Sequence, residues 1–182
     1  MCLKKGIRSM IVIKNILLFV ILFTSTSIGI LIANKYSNRV KELKEMKIGL
    51  NIFNTKIKFT YEPIPKIFND IALTISENSN ISKIFLLTSK KIQEEQLNAG
   101  EAWKNSIHEV KNYMNKEDIQ ILENLSNLLG KVDLEGQVSE INLVENFLDT
   151  QIEKAEIEKT KNAKMYKTLG ITSGLAMVIF LF

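Results

Sequence analysis

Acidic residues are missing from both ends of this sequence: no Asp or Glu precedes Glu42 and none follows Glu158. Cysteine, histidine and proline are almost missing too, with one, one and two copies in 182 residues. One Cys excludes an intramolecular disulfide, and with one His it cannot complete a Cys/His zinc site. Two prolines argue against a loop-rich sandwich and against a disordered chain. Also absent are the phosphate-cradling G-x-x-x-x-G-K-S/T, the dinucleotide G-x-G-x-x-G, the nucleophile elbow G-x-S-x-G and the zinc helix H-E-x-x-H. No catalytic residue, metal site, cofactor or small-molecule substrate is therefore expected, and the chain is not read as an enzyme.

What is present is a charge pattern. The formal charge of +4 comes from Lys4, Lys5, Arg8 and Lys14 alone, because residues 34–167 hold 20 basic and 20 acidic residues. Within that stretch, 34–47 and 154–167 are each +3, and 48–153 is −6. Basic flanks around an acidic middle do not make a DNA-binding stripe. Membrane and protein partners are expected, and nucleic acid is not.

Each basic flank abuts an uncharged run. Residues 16–33 (ILLFVILFTSTSIGILIA) follow a basic leader, 1–15, and approach the roughly 20 residues that span a bilayer. A signal peptide opens in the same way, but this run is longer than an ordinary apolar core. It also lacks a clear A-x-A site and continues into a charged helical segment. Residues 168–182 (TLGITSGLAMVIFLF) make a second run. As a helix it covers about 22 Å, extended by the snorkelling of Lys164 and Lys167. Two transmembrane helices, 16–33 and 168–182, are predicted around a helical domain with membrane-proximal stalks, 34–167. Lys35, Arg39, Lys161, Lys164 and Lys167 are the membrane-proximal basic residues, and they place the domain in the cytoplasm. The basic residues around the first span fit that orientation best if the chain starts at Met10, which leaves only Lys14 ahead of it. Gly170 and Gly174 form a G-x-x-x-G in the second span, and Gly29 gives the first a small residue, so close helix packing is expected there.

The middle is read as all-α. Val40, Leu43, Leu50 and Phe53 recur at helical steps until Tyr61-Glu62-Pro63-Ile64-Pro65 breaks the run. Helices are predicted over 66–76, 81–97 (closed by Asn98-Ala99-Gly100), 101–114, 116–129 (closed by Gly130) and from Asp133 onward. Leu134, Val138, Ile141, Val144, Leu148, Ile152 and Ala155 form an unbroken apolar stripe on the last of these. The fold predicted is an antiparallel helical bundle flanked by N- and C-terminal transmembrane helices. Trp103 is assigned to its core and His108 to its surface. Glu94-Glu95 and Glu117-Asp118 are carboxylate pairs whose side chains diverge by about 100°, too far to share a substrate. They are read as solvated, with a partner-docking surface as their functional use.

The tail K-N-A-K-M-Y-K-T-L-G-I-T-S-G-L-A-M-V-I-F-L, Lys161 to Leu181, closely resembles the C-terminal signature of the stage III sporulation protein AB family. Ile32-Ala33-Asn34-Lys35-Tyr36, Glu62 to Pro65, Ala102-Trp103 and Leu129-Gly130 agree in order, so the resemblance spans about 10–182. It implies a part in endospore formation, in the channel apparatus joining mother cell and forespore, within the mother-cell membrane around the forespore. The helical domain of that family is similar to the cytoplasmic domains of type II secretion and type IV pilus platform proteins. The resemblance thus implies a platform or adaptor, with a cytoplasmic ATPase, stage III sporulation protein AA, and other channel components as partners. It carries over no catalytic residues. The rival reading is a two-span sensory protein with an extracytoplasmic helical ligand domain. That needs the opposite orientation and a C-terminal signalling helix.

Overall fold

The computed structural model describes residues 2–60, 62–76, 78–127, 129 and 134–181, with side chains from residue 13 onward except those of 134, 135 and 137. It is all-α: α1 (Cys2–Phe59), α2 (Ile64–Thr74), α3 (Asn80–Glu94), α4 (Ala99–Glu109), α5 (Lys116–Ser126), α6 (Leu134–Glu158), a π-helical turn (Lys159–Ala163) and α7 (Lys164–Leu181). These divide into a terminal unit, Met1–Ser37 with Ile157–Phe182, and a central unit, Asn38–Glu156. Among the described residues one helix is long and apolar enough to cross a membrane, in the stretch Ile13–Phe59 of α1.

Local chemistry sets the ends of the central helices. Pro63, with φ fixed at −58°, precedes the first turn of α2, and its carbonyl accepts from the Lys66 and Ile67 N–H groups. Ser79 Oγ caps α3 by accepting from the Ile81 N–H at 3.1 Å. Asn115 and Asp118 complete a capping box on α5, each side chain accepting the other's backbone N–H at 2.8 Å.

Asn98-Ala99-Gly100 does not close a helix; it opens one. Asn98 Oδ1 accepts the Glu101 N–H at 2.8 Å, while α3 has already ended at Glu94. Gln96 turns the chain at φ 56°, and the Leu97 N–H reaches back to the Lys91 carbonyl. Gly100 lies inside α4 because a Cβ there would overlap the Ser126 carbonyl oxygen. The next helix is also shorter than the expected 101–114. Asn112 stops α4 at Glu109 by donating to the Ile107 and Val110 carbonyls and accepting the Met114 N–H. Leu128, Gly130 and Asp133, at the predicted boundary before the last helix, lie outside the described residues.

Within the central unit α1 and α6 run antiparallel, pairing Asn54 with Asn142, Lys47 with Asp149 and Lys44 with Glu156. Leu43, Met46, Leu50 and Phe53 face Ile141, Val144 and Leu148 in one core. Its centre is aromatic. Phe68 stacks on Phe53 at 4.8 Å between centroids and on Trp103 at 5.8 Å, and Phe85 tilts against Phe68 and Trp103. Each such pair contributes about 0.5–1.5 kcal/mol beyond its burial. Gly49 admits the Phe85 ring, which a Cβ there would meet at 2.5 Å. Trp103, fully buried as the sequence predicts, donates Nε1–H to the Leu122 carbonyl at 2.8 Å. Buried hydroxyls are satisfied on backbone carbonyls: Ser82 on Ala72, Ser89 on Pro65 and Thr88 on Ile84.

Candidate functional site

Three groups of residues carry the functional reading: the small residues of the terminal unit, its basic collar, and the acidic residues of the central unit. In the terminal unit Gly29 and Gly170 bring two helix backbones together. A Cβ on Gly29 would stand 2.6 Å from the Tyr166 carbonyl oxygen and 3.0 Å from Gly170 Cα. Gly174 lies against Leu22 and Ser25, and Ser25 Oγ donates to the Gly170 carbonyl at 2.8 Å while meeting Ser173 Oγ at 2.9 Å. Tyr36 stacks on Tyr166. The contacts 22–174, 25–170 and 36–166 make this pair antiparallel. Around the seam the unit is oily: Phe19, Phe23, Ile179 and Phe180 are each at least 74% exposed.

Lys35, Lys161, Lys164 and Lys167 are exposed. Arg39 does not join them: it is 6% exposed and turned into the central unit. Its Nε donates to Asp118 Oδ2 at 2.8 Å and its Nη2 to Asp118 Oδ1 at 3.1 Å and Gln151 Oε1 at 3.3 Å. This corrects both expectations at once, because Asp118 is fully buried and cannot belong to a docking surface. Glu117 and Asp118, neighbours on a helix, point about 100° apart, so one faces solvent and the other the core. Asp118 takes the core because α5 needs its carboxylate for the capping box and Arg39 needs it as counter-charge.

Glu117 stays exposed and pairs with Lys154 at 3.0 Å; hydrogen bonds from Lys154 and Gln151 hold its carboxyl below the usual range. Glu94 and Glu95 are exposed near the end of α3 and pair with Lys90 and Lys91 one turn back. Lys91 also meets Glu109 at 3.0 Å, which raises its pKa. Among the described residues no hydrogen bond or ion pair links Glu94 or Glu95 to Glu117. His108 is exposed and pairs with Glu123.

Glu42 carries no recognisable sequence motif, yet it is a buried carboxylate on α1. It is 4% exposed, accepts from Asn80 Nδ2 at 2.7 Å and from the Tyr113 N–H at 2.6 Å, and burial pushes its pKa up. It thereby ties α1 to the start of α3 and to the segment before α5. Its signal in the sequence was position: it sits beside Leu43 on the stripe that continues from Val40. Also unremarked were Leu143 and Phe147, apolar side chains one turn apart on α6, off the buried stripe and nearly half exposed. Among the described residues no group of three or more His, Cys, Asp and Glu could hold a metal ion.

The fold has a solved counterpart. The structure of a stage III sporulation protein AB superposes with a TM-score of 0.63 at 20% identity, covering 68% of this chain and 98% of that one. The stage III sporulation protein AB of Bacillus subtilis (strain 168) is 25% identical over 163 residues, 88% of this chain and 94% of the relative. The sequence profile of stage III sporulation protein AB matches residues 14–182, so the chain belongs to the stage III sporulation protein AB family.

Proposed function

We propose that this sporulation protein is a non-enzymatic membrane platform, anchored by two helices and coupling a cytoplasmic ATPase to the channel apparatus between mother cell and forespore. The observation that carries this reading is the terminal unit. It joins two helices backbone to backbone through Gly29 and Gly170, and turns phenylalanine, leucine and isoleucine outward. In water such a surface would aggregate. In a bilayer it is the expected arrangement, because lipid offers apolar side chains no reason to hide and helices associate through small residues. The first span is 16–33. The second is the run 168–182, carried as far as Leu181 by α7, whose 18 residues, Lys164 and Lys167 included, reach about 27 Å. Exposed Lys35, Lys161, Lys164 and Lys167 collar the pair on one side, and by the positive-inside rule they support a central unit in the mother-cell cytoplasm. The resemblance supplies the ATPase partner, stage III sporulation protein AA, and the other channel components.

Two measurements test this. A reporter fused at Asn98 should report the cytoplasm, and an extracytoplasmic signal would favour the sensory reading instead. The full chain, reconstituted in nanodiscs, should retain the purified ATPase in a pull-down. Retention equal to that of empty nanodiscs would refute direct coupling.

A further inference from the structure

A groove runs between α5 and α6 on the outside of the central unit. It consists of two adjoining hollows of about 430 and 340 Å³ that share Ile121, Asn124 and Phe147. Its α6 wall extends from Glu140 to Lys154, about 21 Å or four helical turns. The floor is apolar, with Phe147 48% and Leu143 45% exposed beside Ile121. The buried stripe of α6 is satisfied without them, since Ile141, Val144 and Leu148 already fill the core. The rims are amides and carboxylates. The charged residues of the lining are Glu117 and Glu140 with Lys154, which is paired with Glu117. The helices that form the walls, α5 and α6, carry 10 acidic and 2 basic residues, and three of the acids, Asp118, Asp149 and Glu156, are paired with Arg39, Lys47 and Lys44 of α1.

We infer that this groove receives a basic amphipathic helix of a partner protein, its apolar stripe seated on Ile121, Leu143 and Phe147 and its Lys or Arg residues meeting the acidic rims. The length suits a helix with anchors at i, i+3 or i+4, and i+7. The charge sets the sign of the partner: α5 and α6 together with the three α1 cations paired to them are −5, which repels phosphate-rich nucleic acid and anionic lipid headgroups and draws a basic peptide. A twofold dimer across the groove would set the same acidic rims against each other. The inference deepens the platform reading by naming a docking surface, and rests on it only for the partner being a protein.

The test uses the full chain in zwitterionic nanodiscs and a labelled, stapled Leu/Lys helix of about 18 residues, with a Leu/Glu helix of the same pattern as control. Fluorescence anisotropy should show binding of the Leu/Lys helix above that to empty nanodiscs, and none of the Leu/Glu helix. Phe147→Asp should weaken it at least about tenfold, whereas Leu86→Asp, an equally exposed apolar residue on α3, should not. Glu140→Lys should weaken the basic helix and admit the acidic one. Thermal melts of each variant establish that it is folded. Equal binding of both helices, binding indifferent to Phe147→Asp, or a groove variant that changes the oligomeric state instead would overturn the proposal. No ATPase enters this experiment, so the groove and the platform reading can fail separately.

Discussion

Replacing Asp118 by Asn removes one charge from a fully buried ion pair and leaves its shape almost unchanged. The Arg39 guanidinium then stays in the core without its carboxylate, at a site where its side chain is 7% exposed. Removing one partner of a buried pair costs about 3–5 kcal/mol, because the remaining charge has lost its solvation and its counter-ion. That shifts the folding equilibrium by about two to three and a half powers of ten, a large part of the roughly 5–15 kcal/mol that holds a domain together. Asn retains an acceptor for the Asn115 N–H, so the cap, worth about 1 kcal/mol, is largely kept. Adding Arg39→Met to Asp118→Asn should therefore recover most of the loss, since no charge remains buried and the methionine fills the space of the arginine stem. The assay is thermal or urea unfolding of the full chain in detergent, followed by helical circular dichroism and by Trp103 fluorescence. A double variant less stable than Asp118→Asn alone would refute the reasoning, and would mean that Arg39 holds the fold through its remaining contacts and not as a charge needing a partner.

Burial raises the pKa of Glu42 and of Glu145. The folded state then binds more protons between the ordinary carboxyl value and the raised one, so stability falls as pH rises through that window and is fully regained below it. The melting temperature should climb as pH drops from neutral into the window, and Glu42→Gln should flatten the profile; Glu62 and Glu117, held low by lysines, weaken the fold only further to acid. Trp103→Phe should cost about 1–3 kcal/mol through the cavity and the lost Nε1–H bond to the Leu122 carbonyl, read by urea unfolding. Gly170→Leu should separate the terminal helices, because a Cβ there would stand 3.0 Å from Gly29 Cα. Spin labels at Ile28 and Leu169, in a Cys2→Ser background, would show a longer and broader distance distribution, and an unchanged one would count against the seam.

Most of the helices could be read from periodicity, because 3.6-residue repeats of large apolar side chains have one common solution in a chain with two prolines. Boundaries were less legible where one residue type serves two roles. Asparagine both starts and stops helices, and Asn98-Ala99-Gly100 has the composition of a stop although Glu101, three residues on, is the mark of a start. The acidic site is hidden from the sequence for a different reason. Glu117 and Asp118 look alike in a window of sequence, and what separates them is Arg39, 79 positions away. Pairings of that span leave no local pattern, so the charge count could give the sign of the middle region but not which carboxylates reach solvent. The α5/α6 groove did leave a trace, in Leu143 and Phe147 off the stripe, but an apolar residue on an outer face gains meaning only once a second helix is seen beside it.

The buried face of α1 changes character along one helix. In the terminal unit its inward positions are Leu18, Leu22, Ser25, Gly29 and Ala33, small where α1 meets the α7 backbone at Gly170; in the central unit they are Val40, Leu43, Met46, Leu50, Phe53 and Ile57. Three- and four-residue helical steps continue throughout, and the small residues are confined to Ser25, Gly29 and Ala33. In water a helix is held by the apolar area it hides, so the seam must be bulky. In lipid hiding apolar area gains nothing, and small residues that let backbones and hydroxyls meet give the better contact. The exposed faces change in the opposite sense, from Phe19 and Phe23 outward in the terminal unit to Lys41 and Lys44 outward in the central one. Both reversals occur within a few residues of Lys35 and Tyr36, where a charged side chain and an aromatic ring first appear on α1 after the apolar run. A soluble core helix or a cleaved leader would account for the apolar run alone. Neither accounts for a seam whose small residues, Ser25 to Ala33, give way to large ones close to the place where the outer face turns from oily to charged, and that coincidence supports one helix built for two solvents.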